Sequence, residues 1–205
     1  VALTAGATAR AQSRDGEGRI SLEGGVRAPL NGGFLDEARG DTETIPGGDF
    51  GIAPLGILAF SYWPMESLEL SLEGGYSRDQ VSVARAAPWI EVQETIMASV
   101  RYVPWTHWDF WPYVGCAFGY SLNQLTGTAL PYAEEADGYG GALFVGTGWD
   151  LTAHFGLTAE FRYNIASIEV PGFTSAFDVG GPSLMVGIYF TIAKSEASPA
   201  TPPPL

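Results

Sequence analysis

The stretch that most constrains this chain is Ser67–Ser77, SLELSLEGGYS. Leu68, Leu70, Leu72, Gly74 and Tyr76 fall on one side of it; Glu69, Ser71, Glu73, Gly75 and Ser77 fall on the other. Side chains alternate across a β-strand, so a period of two this strict predicts one strand with an oily face and a charged face. Any fold must give those two faces different surroundings.

The rest of the chain repeats the pattern less cleanly. Strand one is expected at Arg19–Ala28, with Ile20, Leu22 and Val26 opposite Arg19, Ser21, Glu23 and Arg27. The Gly-, Pro- and acid-rich residues Asn31–Asp49 then predict an exposed loop. Strand two, about Phe50–Trp63, is apolar on both faces and its phase is open; a tight Pro64-Met65-Glu66 turn leads from it into strand three, the opening stretch. A loop over roughly Arg78–Trp89 follows. Strand four, near Ile90–Val103, puts Ile96, Ala98, Val100 and Tyr102 opposite Gln93, Thr95, Ser99 and Arg101; Glu94 interrupts its apolar face, which places that residue near a strand end. After a short connection, strand five, Phe110–Asn123, sets Val114, Cys116, Phe118, Tyr120 and Leu122 against Tyr113, Gly115, Ala117, Gly119 and Ser121. A third insert, about Gln124–Gly138, precedes strand six at Tyr139–Leu151, which is glycine-rich and of open phase. The brief Thr152-Ala153-His154 turn leads to strand seven, Phe155–Asn164; a fourth insert runs to about Pro182, and strand eight is Ser183–Ile192. No stretch sustains a helical period. The class is all-β, with eight strands whose connections alternate long and short.

Composition sets outer bounds. The 205 residues are 46% hydrophobic and only 16% charged, yet no run approaches the roughly 20 apolar residues of a membrane-spanning helix. Residues 1–11 read as the remnant of an export signal ending in Ala9-Arg10-Ala11, with residues 12–18 as a lead-in. The prolines of residues 195–205 lack the amide donor a strand needs, so that tail is expected to be disordered. The one cysteine, Cys116, forbids an internal disulfide framework, and a net charge of −13 argues against nucleic acid as a partner.

Alternation alone does not say whether the oily face looks in or out. Three further features favour out. Long loops all fall at one end and tight turns at the other, as in barrels that cross a membrane. Aromatics gather at strand ends: Tyr62, Trp63, Tyr102, Trp105, Trp108, Phe110, Trp111 and Phe155 toward the short turns, and Tyr76, Trp89, Tyr120, Tyr139 and Tyr163 toward the long loops. Trp and Tyr combine an apolar body with a polar tip, which suits the two interfaces of a bilayer. Finally Glu23, Arg27, Glu69, Glu73, Arg101, Glu160 and Arg162 all share the face opposite the leucines and phenylalanines. Inside a narrow eight-stranded barrel such charges pair, whereas on the lipid side an Arg costs about 2–4 kcal/mol at mid-bilayer. The expected fold is an eight-stranded antiparallel up-and-down transmembrane β-barrel over residues 19–194.

Trp111–Tyr120, WPYVGCAFGY, resembles a strand typical of small eight-stranded outer-membrane β-barrels, the OmpW-like and OmpA-like transmembrane domains, and Gly146–Tyr163 is similar to their hairpin into strand seven. Phe190 in the last strand resembles their assembly signal, although here Ala193–Leu205 continue beyond it. The resemblance covers roughly residues 19–194. It implies the cell outer membrane, contact with its lipid and lipopolysaccharide, insertion by the barrel-assembly machinery, a monomer, and passage of a small hydrophobic solute as one variant of the function. An apolar lumen near the long loops would then involve Phe50, Leu55 and Leu143.

No residue pattern predicts catalysis, a cofactor or a metal. His107 and His154 sit in short turns, misplaced for a Ser/His/acid triad at the long-loop rim and remote from a zinc pattern. The glycine-rich Gly138–Gly148 precedes a hairpin rather than the helix a phosphate cradle requires; inward glycines there would relieve crowding. The expected function is a structural or solute-passing barrel with a paired-charge interior. A soluble lipocalin-like carrier lined by Leu68, Leu70, Leu72, Phe161 and Ile188, and an outer-membrane lipid-modifying enzyme, stand as alternatives.

Overall fold

A computed structural model describes residues 14–28, 49–50, 52–82, 89–105, 109–126, 135–169, 177–178 and 180–192. Eight long strands follow in chain order: β1 (Gly18–Arg27), β2 (Ala53–Met65), β3 (Leu68–Ser82), β4 (Trp89–Tyr102), β5 (Phe110–Thr126), β6 (Glu135–Asp150), β7 (Phe155–Glu169) and β8 (Gly181–Ile192). Two-residue pairings at Asp49–Phe50 and Phe177–Asp178 extend the sheet beside β3 and β7. Each long strand is antiparallel to its neighbours in sequence, and β8 also pairs with β1 from Gly18↔Ile192 to Arg27↔Ser183. That last ladder closes the sheet, so no strand of the eight is left with an unpaired edge.

The oily face looks out. Leu22, Leu72, Phe118, Val145 and Val186 each expose more than half of their surface, at 58, 57, 66, 54 and 65%. A water-soluble carrier would hide these groups, and the residues that would line its pocket, Leu70, Leu72, Phe161 and Ile188 among them, are instead exposed on the outer wall. Outward aromatics form two belts: Tyr62, Tyr102, Trp105, Phe110, Trp149 and Phe190 near the tight turns; Tyr76, Tyr120, Tyr139 and Tyr163 toward the other rim. Ten residues separate Phe110 from Tyr120 along β5. At about 3.3 Å per residue and a tilt near 40°, that spacing spans roughly 25 Å, the height of a membrane barrel's apolar band.

Several expectations change. Trp63 and Trp111 do not join the belt: both are fully buried inside the barrel. The tight turn after β2 is Glu66–Ser67, with Pro64 and Met65 still in the strand and a register shift between Tyr62 and Met65 absorbing the proline. Strands β3, β5, β6 and β7 run further toward the long-loop rim than the residue pattern suggested, because backbone pairing there continues through polar positions such as Gln124↔Glu135 and Asp137↔Glu169. Glu94 is therefore not at a strand end. It points outward beside Tyr76 and Leu122, level with the upper aromatic belt, where a charge reaches water. The signal-like segment 1–11, the tail 195–205, His107 and Trp108 lie outside the described residues.

The lumen is filled by a cross-strand device. Trp111 lies opposite Gly148, Tyr113 opposite Gly146 and Tyr189 opposite Gly156. A Cβ built on any of these glycines would collide with the facing ring. Each glycine therefore provides the hollow into which an aromatic from the neighbouring strand folds. This settles the phase of β6, whose Gly146 and Gly148 face inward, while Leu143, Val145 and Trp149 face lipid.

Candidate functional site

The candidate site is the lumen itself, because the strand phases bring the charged side chains together there. Arg27, Glu23, Glu69, Glu73, Arg101, Glu160 and Arg162 are all buried inside the barrel, each at most 4% exposed. At the centre, Arg101 donates to Glu69 at 2.9 Å, with Glu73 at 3.4 Å, Glu160 at 3.5 Å and Glu23 at 3.8 Å around it. Arg162 donates to Glu73 at 2.7 Å and to Glu160 at 2.8 Å. Hydroxyls complete the set: Ser99 donates to Glu73 at 2.5 Å, Tyr113 to Glu160 at 2.9 Å and Ser71 to Glu69 at 3.3 Å. Charge-assisted bonds of this length are the strong kind, and they hold the carboxylates in fixed positions. Arg27 sits apart from this centre. It donates to Gln93, which donates to Ser121 at 3.0 Å.

Toward the tight turns an aromatic layer closes the lumen, and sequence reasoning missed most of it. Trp63 and Trp111 meet edge to face at 5.8 Å, and Trp111 meets Tyr189 at 5.8 Å. Arg19 lies over Trp63, Trp111 and Tyr189 at 5.0, 4.8 and 4.7 Å, close enough for cation–π attraction, and donates to Glu17 at 2.7 Å. Below it Arg14, from outside the strands, reaches the Trp111 ring at 4.4 Å and pairs with Asp150 at 2.5 Å. A turn at Gly16, whose φ of 75° favours glycine, folds that segment back so that the Gly16 amide donates to the Trp63 carbonyl at 2.8 Å. Burial, then the Arg19 charge, push the Arg14 pKa down, against the pull of Asp150. Arg19 shared the polar parity of Glu23 and was findable; Arg14 and Asp150, outside the alternating stretches or at their ends, gave no signal.

Of the three positions expected to make an apolar lumen near the long loops, Leu143 is on the lipid face at 62% exposure. Leu55 is half-buried, and the Phe50 side chain is outside the described part. His154 is exposed in the short turn after β6. Among the described residues no group of three His, Cys, Asp or Glu side chains is placed to hold a metal ion.

A closed antiparallel barrel with an apolar outer belt, tight turns at one rim and a charge-filled interior has the fold of the small eight-stranded outer-membrane β-barrels. Solved structures share it. Neisserial surface protein A matches with a TM-score of 0.61 at 15% identity, covering 86% of this chain and 97% of that one. The outer membrane protein OprG from Pseudomonas aeruginosa matches at 0.56 and 16% identity, over 89% of this chain and 98% of its own. Outer membrane protein W of E. coli matches at 0.52 and 16% identity, over 88% and 100%. No family model and no curated protein matches the sequence.

Proposed function

We propose that this chain works in the cell outer membrane as a structural barrel: a closed, monomeric wall that anchors long acidic loops at its outer rim and passes no ions through its lumen. The observation that carries the reading is the continuous filling of the interior, from the Trp63–Trp111–Tyr189 layer with its Arg14 and Arg19 caps to the Arg101 and Arg162 network above it. Eight strands leave an interior that side chains just fill, and here they are tied to one another across it. Export through a signal in residues 1–11, insertion by the barrel-assembly machinery, contact with lipopolysaccharide, and a disordered linker at residues 195–205 belong to this reading.

Planar-bilayer recording of the refolded barrel tests it. Absence of single-channel steps in molar salt, together with no uptake of apolar probes into vesicles, is the expected result. Steady conductance would overturn the closed lumen. Uptake of apolar probes without conductance would favour the solute-passing variant, in which small hydrophobic compounds leave through the wall.

A further inference from the structure

The lipid-facing wall is not smooth. A groove of about 810 Å³ opens on it across β6, β7, β8 and β1. Its floor is one row of outward positions paired from strand to strand, Thr147↔Ala159↔Val186↔Gly24, in which no side chain is larger than valine. The next row toward the tight turns, Trp149↔Leu157↔Ile188↔Leu22, stands beside it as one ridge. The next row toward the long loops, Val145↔Phe161↔Leu184↔Val26, is a second ridge of large exposed side chains.

The dimensions suit a single hydrocarbon chain. Trp149 and Val145, one on each ridge, are four positions apart on β6, roughly 13 Å at about 3.3 Å per residue. Their side chains fill part of that span, and the slot left is too narrow for a helix, whose diameter is about 10–12 Å. Three strand spacings of about 4.8 Å make the floor from Thr147 to Gly24 roughly 14 Å long, close to the roughly 15 Å of hydrocarbon in one leaflet. Paired rows cross tilted strands, so the furrow slopes. It starts beside Phe110 and Trp149 in the aromatic belt near the tight turns, and beyond Gly24 the same row continues through Gly56 to Tyr76 of the other belt.

We propose that this furrow binds one acyl chain of a phospholipid from the leaflet on the tight-turn side, entering beside Phe110 and Trp149 and running toward Gly24. The occupant follows from the place: the groove lies in the apolar band between the two aromatic belts, where lipid chains are what meets the wall. Within a bilayer an apolar chain gains no hydrophobic free energy by leaving lipid for protein, so association there rests on packing. A smooth wall touches a chain along one side. A furrow between two ridges touches it along three, and the added dispersion contacts slow the exchange of this one lipid relative to its neighbours. The Trp149 ring, apolar in body and polar at its tip, stands where the headgroup of that lipid begins. A second copy of the chain would have to enter a slot one row wide, whereas a stable protein interface needs on the order of 1,000 Å². The site lies outside the barrel, so it holds whether or not the lumen conducts.

The test is native mass spectrometry of the full chain, refolded in phosphatidylcholine vesicles and transferred to detergent. The parent is expected to retain one phosphatidylcholine per barrel. Gly24→Leu and Ala159→Leu each fill the floor of the furrow and are expected to lower the retained fraction about tenfold. Both place an apolar side chain toward lipid and are expected to give the heat-sensitive gel band of a folded barrel; the second serves if the first does not. Ala98→Leu, on the outer wall of β4 away from the furrow, is expected to retain lipid as the parent does. A parent barrel that carries no lipid would overturn the site, as would retention within about twofold of the parent in the filled variants or an equal loss in Ala98→Leu. Dimers that disappear in the filled variants would assign the furrow to a second copy and overturn it too.

Discussion

Replacing Arg101 by Met removes the guanidinium at the centre of the lumen and keeps most of the side-chain volume, so the loss is electrostatic rather than a cavity. Its effect is unequal among the four carboxylates around it. Glu73 and Glu160 retain Arg162 at 2.7 and 2.8 Å, both shorter than the 3.4 and 3.5 Å they gave up. Glu23 gives up only a 3.8 Å contact, whereas Glu69 loses its one short ionic partner, at 2.9 Å, and is left with the Ser71 and Ser61 hydroxyls. The cost therefore concentrates on a single pair, and stripping one member of a buried pair typically destabilises by about 3–5 kcal/mol. In a Glu69→Gln background the stranded charge is gone, and Arg101→Met should cost about 1–2 kcal/mol, the share of the longer contacts. The difference is a coupling of about 2–3 kcal/mol between the two positions, close to a hundredfold in the folding equilibrium. Urea titration in detergent, followed by tryptophan fluorescence and gel mobility for all four members of the cycle, measures it. Equal costs in both backgrounds, or an Arg101→Met barrel within about 0.5 kcal/mol of the parent, would refute the assignment of Glu69 as the principal partner.

Orientation has its own tests. Leu72→Arg, on the lipid face at 57% exposure, should lower folding into vesicles by about 2–4 kcal/mol, whereas Ser71→Ala beside it but inside should cost about 1 kcal/mol; the two are compared by the folded fraction on gels. Cys116 is exposed on the outer wall between Val100 and Leu143. In vesicles it should resist a charged aqueous thiol reagent and react with a membrane-soluble maleimide, and rapid labelling by the charged reagent would reverse the orientation. Single-tryptophan variants retaining Trp149 should be quenched by brominated lipid while those retaining Trp63 should not, since Trp149 is 53% exposed and Trp63 fully buried. Gly148→Val drives a side chain into the Trp111 ring; the expected result is loss of the compact gel form, while Gly24→Ala, whose Cβ would make only an ordinary contact at 4.0 Å from the Leu55 carbonyl oxygen, should leave it intact.

How far the molecule could be read from its residues depended on whether a segment alternates. Over Glu69–Glu73 of β3 and Thr158–Arg162 of β7 each inward position is polar and each outward one apolar, so Glu69, Glu73, Glu160 and Arg162 were assigned to one interior without coordinates. In β2 and β6 the inward positions are, apart from Ser61, themselves apolar or glycine: Ile57, Ala59 and Trp63 in one, Ala142, Phe144, Gly146 and Gly148 in the other. Alternation vanishes there, because a lumen plug of aromatics fitted into glycines has the same polarity as the lipid outside. That is why Trp63 and Trp111 looked like members of the interfacial belt and Leu143 like a lumen candidate. The strand ends were underestimated for a related reason: beyond the aromatic belt both faces meet water, and a strand wet on both sides carries no period.

The two halves of the interior share one steric device. Several bulky inward groups have a glycine opposite them on one neighbouring strand, whereas Glu69 and Arg101, and Phe144 and Arg162, face each other directly. Near the tight turns the bulky groups are rings, and the small ones are Gly146, Gly148 and Gly156. At the centre the long groups are Glu and Arg, and the positions opposite them are Gly187 facing Glu23, Gly146 facing Glu160, and Gly115 facing Arg101. Charge is then a consequence of length as well as of sign. A Glu or Arg crosses the axis and reaches a partner several strands away, as Arg162 does to Glu73, and only such cross-lumen bonds tie opposite walls together. Shortening one of these chains while keeping its charge, as in Glu73→Asp, should therefore weaken the barrel nearly as much as Glu73→Gln does. If Asp were to match the parent in urea midpoint, charge alone would suffice and reach across the lumen would play no part.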